Sequence, residues 1–256
     1  MVNRIFTLLL IGLLSGTGLA SESSVLAFRA QKSIAKGKFA KGYGQLERAL
    51  LASRKEADLG AEGRILNSMA KVRIMSLDLN FADSLLSVVR QEAMDNNTKL
   101  MFNINKISLA NARKKFNEGE KICRSIVDKE ISDCDEPLKA AFYSSCAIAY
   151  AGNKREDDAK QALKLTAKNS DDEEGFYAYT AANVSTLLGN SDAEAFYKTA
   201  EEKAIKSDFS YMTATILWER SQLNGVSQKD KDDLKLRCKN AFELMGLPNN
   251  AKRCGE

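Results

Sequence analysis

Apolar residues in this chain recur with the 3.6-residue period of amphipathic helices rather than the strict alternation of strands. Leu46, Ala49 and Leu50 share one face, and Ala193, Phe196, Tyr197, Ala200 and Ala204 share another. Small residues form a face at Ala178, Ala181, Ala182 and Ser185, and Ala214, Leu217, Trp218 and Ser221 take matching places further on. A short turn interrupts these stretches again and again: Lys36-Gly37-Lys38-Phe39, Leu79-Asn80-Phe81, Lys114-Lys115-Phe116, Gly152-Asn153-Lys154, Gly189-Asn190-Ser191 and Asn224-Gly225-Val226. With residues 37, 79, 114, 152, 189 and 225 taken as equivalent, the spacings are 42, 35, 38, 37 and 36. A repeat of that length marks stacked supersecondary units. The pattern predicts six antiparallel helix pairs over 23–54, 59–94, 98–128, 136–168, 173–206 and 209–246. Pro137 suits the first turn of a helix, where its missing N–H is not needed. Ser227 with Asp230 reads as a helix-starting cap. The carboxylates at Asp171, Asp172, Glu173 and Glu174 suit the positive end of a helix dipole.

The first twenty residues follow a different pattern. Met1 to Arg4 is short and positive, Ile5 to Leu14 is an almost unbroken apolar run, and Ser15 to Ala20 is a small-residue tail. That is the layout of a secretory signal peptide, with cleavage expected between Ala20 and Ser21. An apolar run of about ten residues covers only about half of a bilayer core. No cysteine follows the run, so the lipid-attachment pattern of bacterial lipoproteins is absent. No membrane span is expected in the mature chain, and the plain leader points to a periplasmic or secreted protein.

Composition narrows the chemistry. The chain has no histidine, which removes histidine-dependent nucleophile pairs, histidine metal sites and the usual general base near neutral pH. The net charge of +4 is mild and the basic residues alternate with acidic ones, so nucleic acid is not an expected partner. With only two prolines, a long disordered linker is disfavoured.

The stretch from Lys36 to Leu50 resembles the second half of a tetratricopeptide repeat, in which a glycine-x-aromatic turn precedes a helix with small and apolar residues at fixed steps. Gly42, Leu46 and Ala49 take those steps, as do Gly119, Cys123 and Ile126, and Ala193, Tyr197 and Ala200. The chain departs from the family in its longer spacings and in lacking the family's proline and early tryptophan. The resemblance implies an all-α, right-handed α-solenoid of about six helix pairs over residues 21–256. The first helix of each pair would line a concave groove, with Arg73, Met101, Asn111, Phe142, Tyr150, Tyr179, Asn183, Glu219 and Gln222 facing inward. Aromatic anchors among polar groups are what a protein-binding face uses. The family's carboxylate clamp is not reproduced, since the required basic residues do not fall beside Asn183. A protein segment rather than a C-terminal carboxylate is the implied ligand.

Five cysteines, Cys123, Cys134, Cys146, Cys238 and Cys254, follow the first two units. In an exported chain they suggest one or two disulfides and a leftover thiol. A bond between Cys238 and Cys254 would tie a short C-terminal tail to the last helix, and a companion bond is expected between Cys123 and Cys134, leaving Cys146 free. No pair has redox-motif spacing, and without histidine or paired cysteines no zinc site is expected. Gly37-Lys38 lacks the rest of a phosphate loop. The acidic run at 171–174 lacks the alternation of a calcium loop. Asn96-Asn97-Thr98 and Asn183-Val184-Ser185 fit the glycosylation acceptor pattern, which matters only in a eukaryotic host. No cofactor is implied.

The sequence therefore points to an exported scaffold that holds another protein in a helical groove. The alternatives are a structural or assembly subunit of a cell-envelope complex, and an enzyme using carboxylates in the groove, for which no paired-carboxylate spacing speaks.

Overall fold

The computed structural model describes residues 21–256, and the targeting segment expected over 1–20 lies outside them. All the regular structure there is helical. Fourteen α-helices follow one another: α1 (Glu22–Ala35), α2 (Phe39–Lys55), α3 (Leu59–Met75), α4 (Leu79–Ser87), α5 (Asn96–Ala112), α6 (Phe116–Ser125), α7 (Asp128–Ser132), α8 (Glu136–Gly152), α9 (Glu156–Lys168), α10 (Phe176–Leu188), α11 (Ala193–Lys206), α12 (Ser210–Ser221), α13 (Gln228–Leu244) and α14 (Pro248–Gly255). A single 3₁₀ turn at Gln91–Ala93 separates α4 from α5. None of the described helices is long and apolar enough to cross a membrane.

Helices adjacent in sequence pack pairwise, α1 on α2, α8 on α9, α10 on α11 and α12 on α13. Small residues make the approach close. A Cβ on Gly42 of α2 would stand 2.4 Å from Ile34 and 3.0 Å from the carbonyl of Ala30, both on α1. The start signals act as their chemistry demands. Ser227 Oγ accepts from the Asp230 N–H at 3.2 Å, and Asp172 Oδ1 accepts from the Tyr177 N–H at 2.7 Å. Pro137 lies in the first turn of α8.

One turn joins most of these helices. A residue in the left-handed region is followed by an N–H that donates to the carbonyl five residues back, satisfying the orphan acceptors of the helix end. It is built eight times, around Gly37, Ala57, Leu77, Lys114, Lys154, Gly189, Asp208 and Gly246, with hydrogen bonds of 2.8–3.0 Å. This fixes the register of the recurring turn. Leu77, not Leu79, is the counterpart of Gly37, and Lys154, not Gly152, is the counterpart of Gly189. Gly152 serves space instead of backbone freedom, since a Cβ there would sit 2.2 Å from the Phe116 ring. Gly225 lies in a longer loop over 222–227 and has no left-handed counterpart role.

The C-terminal end returns to the beginning. Phe242 of α13 and Cys254 of α14 are fully buried in the same apolar core as Leu46 of α2 and Ile65 of α3. The Tyr211 hydroxyl and the Asn250 amide both donate to the carbonyl of Met75, at 2.9 and 3.0 Å, and the Asn249 amide donates to that of Ser76 at 3.2 Å. These donors cap the C-terminus of α3 from 136 to 175 residues away in sequence. The tail beyond Pro248, expected as a short irregular end, is the helix α14.

Candidate functional site

The first helices of successive pairs pack on one another, α3 on α5, α5 on α8 and α8 on α10. Six residues before the left-handed turn residue, these helices carry Lys71, Ser108, Ile148 and Asn183, and all four stay partly accessible. Burial pulls the Lys71 ammonium down to about 8.

The residues expected to face inward separate into three groups. Arg73 is not on that face. Its guanidinium lies 4.0 Å from the Tyr43 ring and 4.6 Å from the Phe81 ring, and pairs with Asp78 at 3.2 Å. The two-residue register slip at Leu77 accounts for this, and Lys71 takes the position instead. Met101 and Phe142 are core residues, 6% and 3% exposed between α5, α6 and α8. Three more are engaged, Asn111 and Tyr150 partly accessible and Gln222 exposed. The Asn111 amide donates to the Ser145 carbonyl at 2.9 Å, which ties α5 to α8. Tyr150 packs against the cluster of Ala147, Ala151 and Val184, and burial raises its hydroxyl's pKa. The Gln222 amide donates to Ser221 Oγ at 2.9 Å, at the end of α12.

Tyr179, Asn183 and Glu219 are the ones the structure gathers at one end of the array. The Asn183 amide donates to the Tyr179 carbonyl one turn back. The Tyr179 ring lies 6.3 Å from that of Tyr197. Burial raises the pKa of both hydroxyls, with the Glu219 charge adding to each. Three residues that the sequence did not single out for binding complete the cluster. Tyr211 packs between Phe39 and Phe242, with ring centroids at 5.6 and 5.8 Å, and burial pushes its hydroxyl up to about 12. The Arg253 guanidinium lies 3.9 Å from the centre of the Trp218 ring, a cation–π distance. Burial raises the Glu219 carboxyl to about 7, against the opposing pull of Arg253 and of Lys114 from the α5–α6 turn. The available signal for Arg253 was its neighbour Cys254, whose bond to Cys238 predicted that this tail is held in place.

The disulfides both agree with and correct the sequence reading. Cys238 is joined to Cys254 as expected, which fixes α14 against α13. The second bond joins Cys123 to Cys146, not to Cys134. The reason is geometric. Cys123 on α6 and Cys146 on α8 lie on packed helices with their Cα atoms 5.8 Å apart, whereas Cys134 follows α7 and donates its thiol to the Glu130 carbonyl. Cys134 is the free cysteine, buried, with its thiol pushed up to about 11 by burial, so little reactive thiolate forms near neutral pH. Among the described residues no group of three acidic or cysteine side chains is placed to hold a metal ion. A cleft lined by Arg54, Leu59, Glu62 and Arg90 holds about 200 Å³, below the size range of ligand pockets, and a shallower, polar one lined by Asn80, Asp83, Ser84, Ser87 and Arg113 holds about 420 Å³. The sequence matches no protein-family model and no curated protein.

Proposed function

We propose that this protein is an exported scaffold of the tetratricopeptide-like kind, a right-handed solenoid of about six helix pairs that holds a segment of another protein against its first helices. The supporting observation is the repeated position Lys71, Ser108, Ile148 and Asn183, partly accessible on first helices that pack directly on one another. Stacked pairs of this kind present one extended face, and solenoid proteins use such faces for partners. That face runs toward the cluster of Tyr179, Tyr211, Trp218 and Glu219, where aromatic area and polar tips coincide, the composition that dominates binding energy at interfaces. The two disulfides and the apolar leader favour an oxidising compartment, the periplasm or the exterior.

The test is mild crosslinking and co-purification from the native host, followed by binding isotherms with the captured partner. Tyr179→Ala weakens the complex by about 1–4 kcal/mol with helical content unchanged by circular dichroism. Leu244→Ala, at an 89% exposed outer position, leaves affinity unchanged. Equal affinity for the wild type and a well-folded Tyr179→Ala variant rejects this face, and turnover of a small substrate with no partner bound favours the enzyme instead.

A further inference from the structure

Arginines packed between helices elsewhere in the fold are held by carboxylates. Arg220 bridges Glu194 and Glu201, Arg237 reaches Glu201, Arg155 joins Glu120 and Asp158, and Arg113 meets Asp83. Arg253 and Glu219 lie near one another without such a bridge. Each feels the other's charge, yet among the described residues neither makes an ion pair or a side-chain hydrogen bond to any partner. The Arg253 Nε–H is buried with no acceptor, as are those of Arg64, Arg73 and Arg220, but those three guanidinium groups reach a carboxylate through another nitrogen. Opposite charges this near, both on partly buried residues, attract, and flexible side chains would close the gap into a bridge. Here the two stand on elements that do not yield. Glu219 follows Trp218 on α12, and Arg253 is stacked on Trp218 from α14. The Cys238–Cys254 bond at the adjacent residue holds α14, and so do the Asn249 and Asn250 amides on the end of α3. Tyr179 and Tyr211 stand beside the pair, close enough for both charges to act on their hydroxyls.

We propose that the C-terminal helix completes a dipolar subsite, in which Arg253 receives the carboxylate, and Glu219 the ammonium or guanidinium, of one bound peptide segment carrying an acidic and a basic side chain. The subsite rests on the scaffold reading and specifies which segments the face accepts. Its charges are pre-positioned, so little ordering cost remains for the ligand to meet. Bidentate capture by the guanidinium suits a carboxylate, and the tyrosine rings supply contact area along the intervening chain.

Trp218 is the only tryptophan in the chain, so its fluorescence reports directly on this site. The experiment titrates oxidised protein spanning residues 21–256 with acetylated, amidated hexapeptides. Each carries one lysine and one glutamate, at separations of one to four residues. Matched peptides replace the lysine by norleucine or the glutamate by glutamine, and free lysine and free glutamate are run alongside. The expected result is saturable change in Trp218 emission at one favoured separation, with affinity lowered at least tenfold by either replacement. Glu219→Gln abolishes the preference for lysine, and Arg253→Gln abolishes that for glutamate. With the Glu219 carboxyl near 7, and Arg253, Lys114 and the Tyr179, Tyr197 and Tyr211 hydroxyls as its charged or titratable neighbours, affinity for the lysine-bearing peptide falls as pH drops from 8 to 6. Glu219→Gln removes that dependence. Equal response to the neutral peptides, equal response to the free amino acids, or no saturable change at any separation overturns the subsite. Full affinity of a Glu219→Gln, Arg253→Gln double variant for the crosslinked native partner also overturns it while leaving the scaffold reading intact.

Discussion

The second and third helix pairs solve one problem in two ways. Both have a short second helix, α4 of nine residues and α6 of ten, each followed by an irregular stretch before the next long helix. A helix this short has little stability of its own and must be held by tertiary packing. α4 is held by apolar area: Ala82, Leu85 and Leu86 are buried, and Met94 beyond it closes over Gly63 of α3. α6 buries only Gly119 and Cys123. Its hold is covalent, through Cys123 to Cys146 of α8, with ion pairs from Glu120 to Arg155 and Arg124 around it. The crosslink thus stands where the apolar anchor is missing.

If that division is real, deleting each anchor has a distinct effect. Leu86→Ala removes a side chain only 4% exposed in the core and costs about 2–5 kcal/mol, read from the midpoint of urea unfolding. The same measurement on a Cys123→Ser, Cys146→Ser double variant shows a loss of about 3 kcal/mol, the loop-closure value for a bond spanning 23 residues. Under reducing conditions the first variant keeps its deficit relative to reduced wild type, whereas the second becomes nearly indistinguishable from reduced wild type. A cysteine variant that is as stable as oxidised wild type would mean that α6 is held by its ion pairs, and the contrast with α4 would collapse.

The same two pairs show what the sequence revealed and what it concealed. The helical period announced the elements, and the expected boundaries of most pairs fall within a few residues of the observed helices. Tyr179 and Asn183 were reached because Gly189 was read in register, whereas Glu219 was placed from Gly225, which is not a turn of this kind. The search for the turn followed a glycine or an aromatic two residues on, and neither marks the left-handed residue reliably, since Phe81 pointed to Leu79 and glycine answers two different needs. At Gly37 and Gly189 it supplies a left-handed backbone, while at Gly152 it makes room for Phe116. Five of the eight turns place Ala57, Leu77, Lys114, Lys154 or Asp208 in the left-handed position, and no local letter marks them. Hence Arg73 was assigned to the face and Lys71 was passed over. Cys146 was passed over for a related reason, since proximity in sequence favoured Cys134 and only the packing of α6 on α8 shows the true partner. The approach of Arg253 to Trp218 depends on the long-range return of α14, which no periodicity encodes.

The turns also yield the smallest effect, and it again separates the two pairs. A non-glycine residue in the left-handed region is strained by about 1 kcal/mol, and glycine relieves the strain at some cost in unfolded-state entropy. Lys114, with φ of 56° and an exposed side chain, has little packing to lose, so Lys114→Gly raises stability by up to about 1 kcal/mol. Leu77 has nearly the same backbone, with φ of 59°, but its side chain is partly buried where α3 meets α4. Leu77→Gly surrenders that contact, and its net gain is smaller than that of Lys114→Gly or is reversed in sign. The two variants compared by thermal unfolding decide the point. A larger gain at Leu77 would show that apolar contact at this turn contributes nothing to the second pair, and that its hold resides wholly in Leu85, Leu86 and Met94.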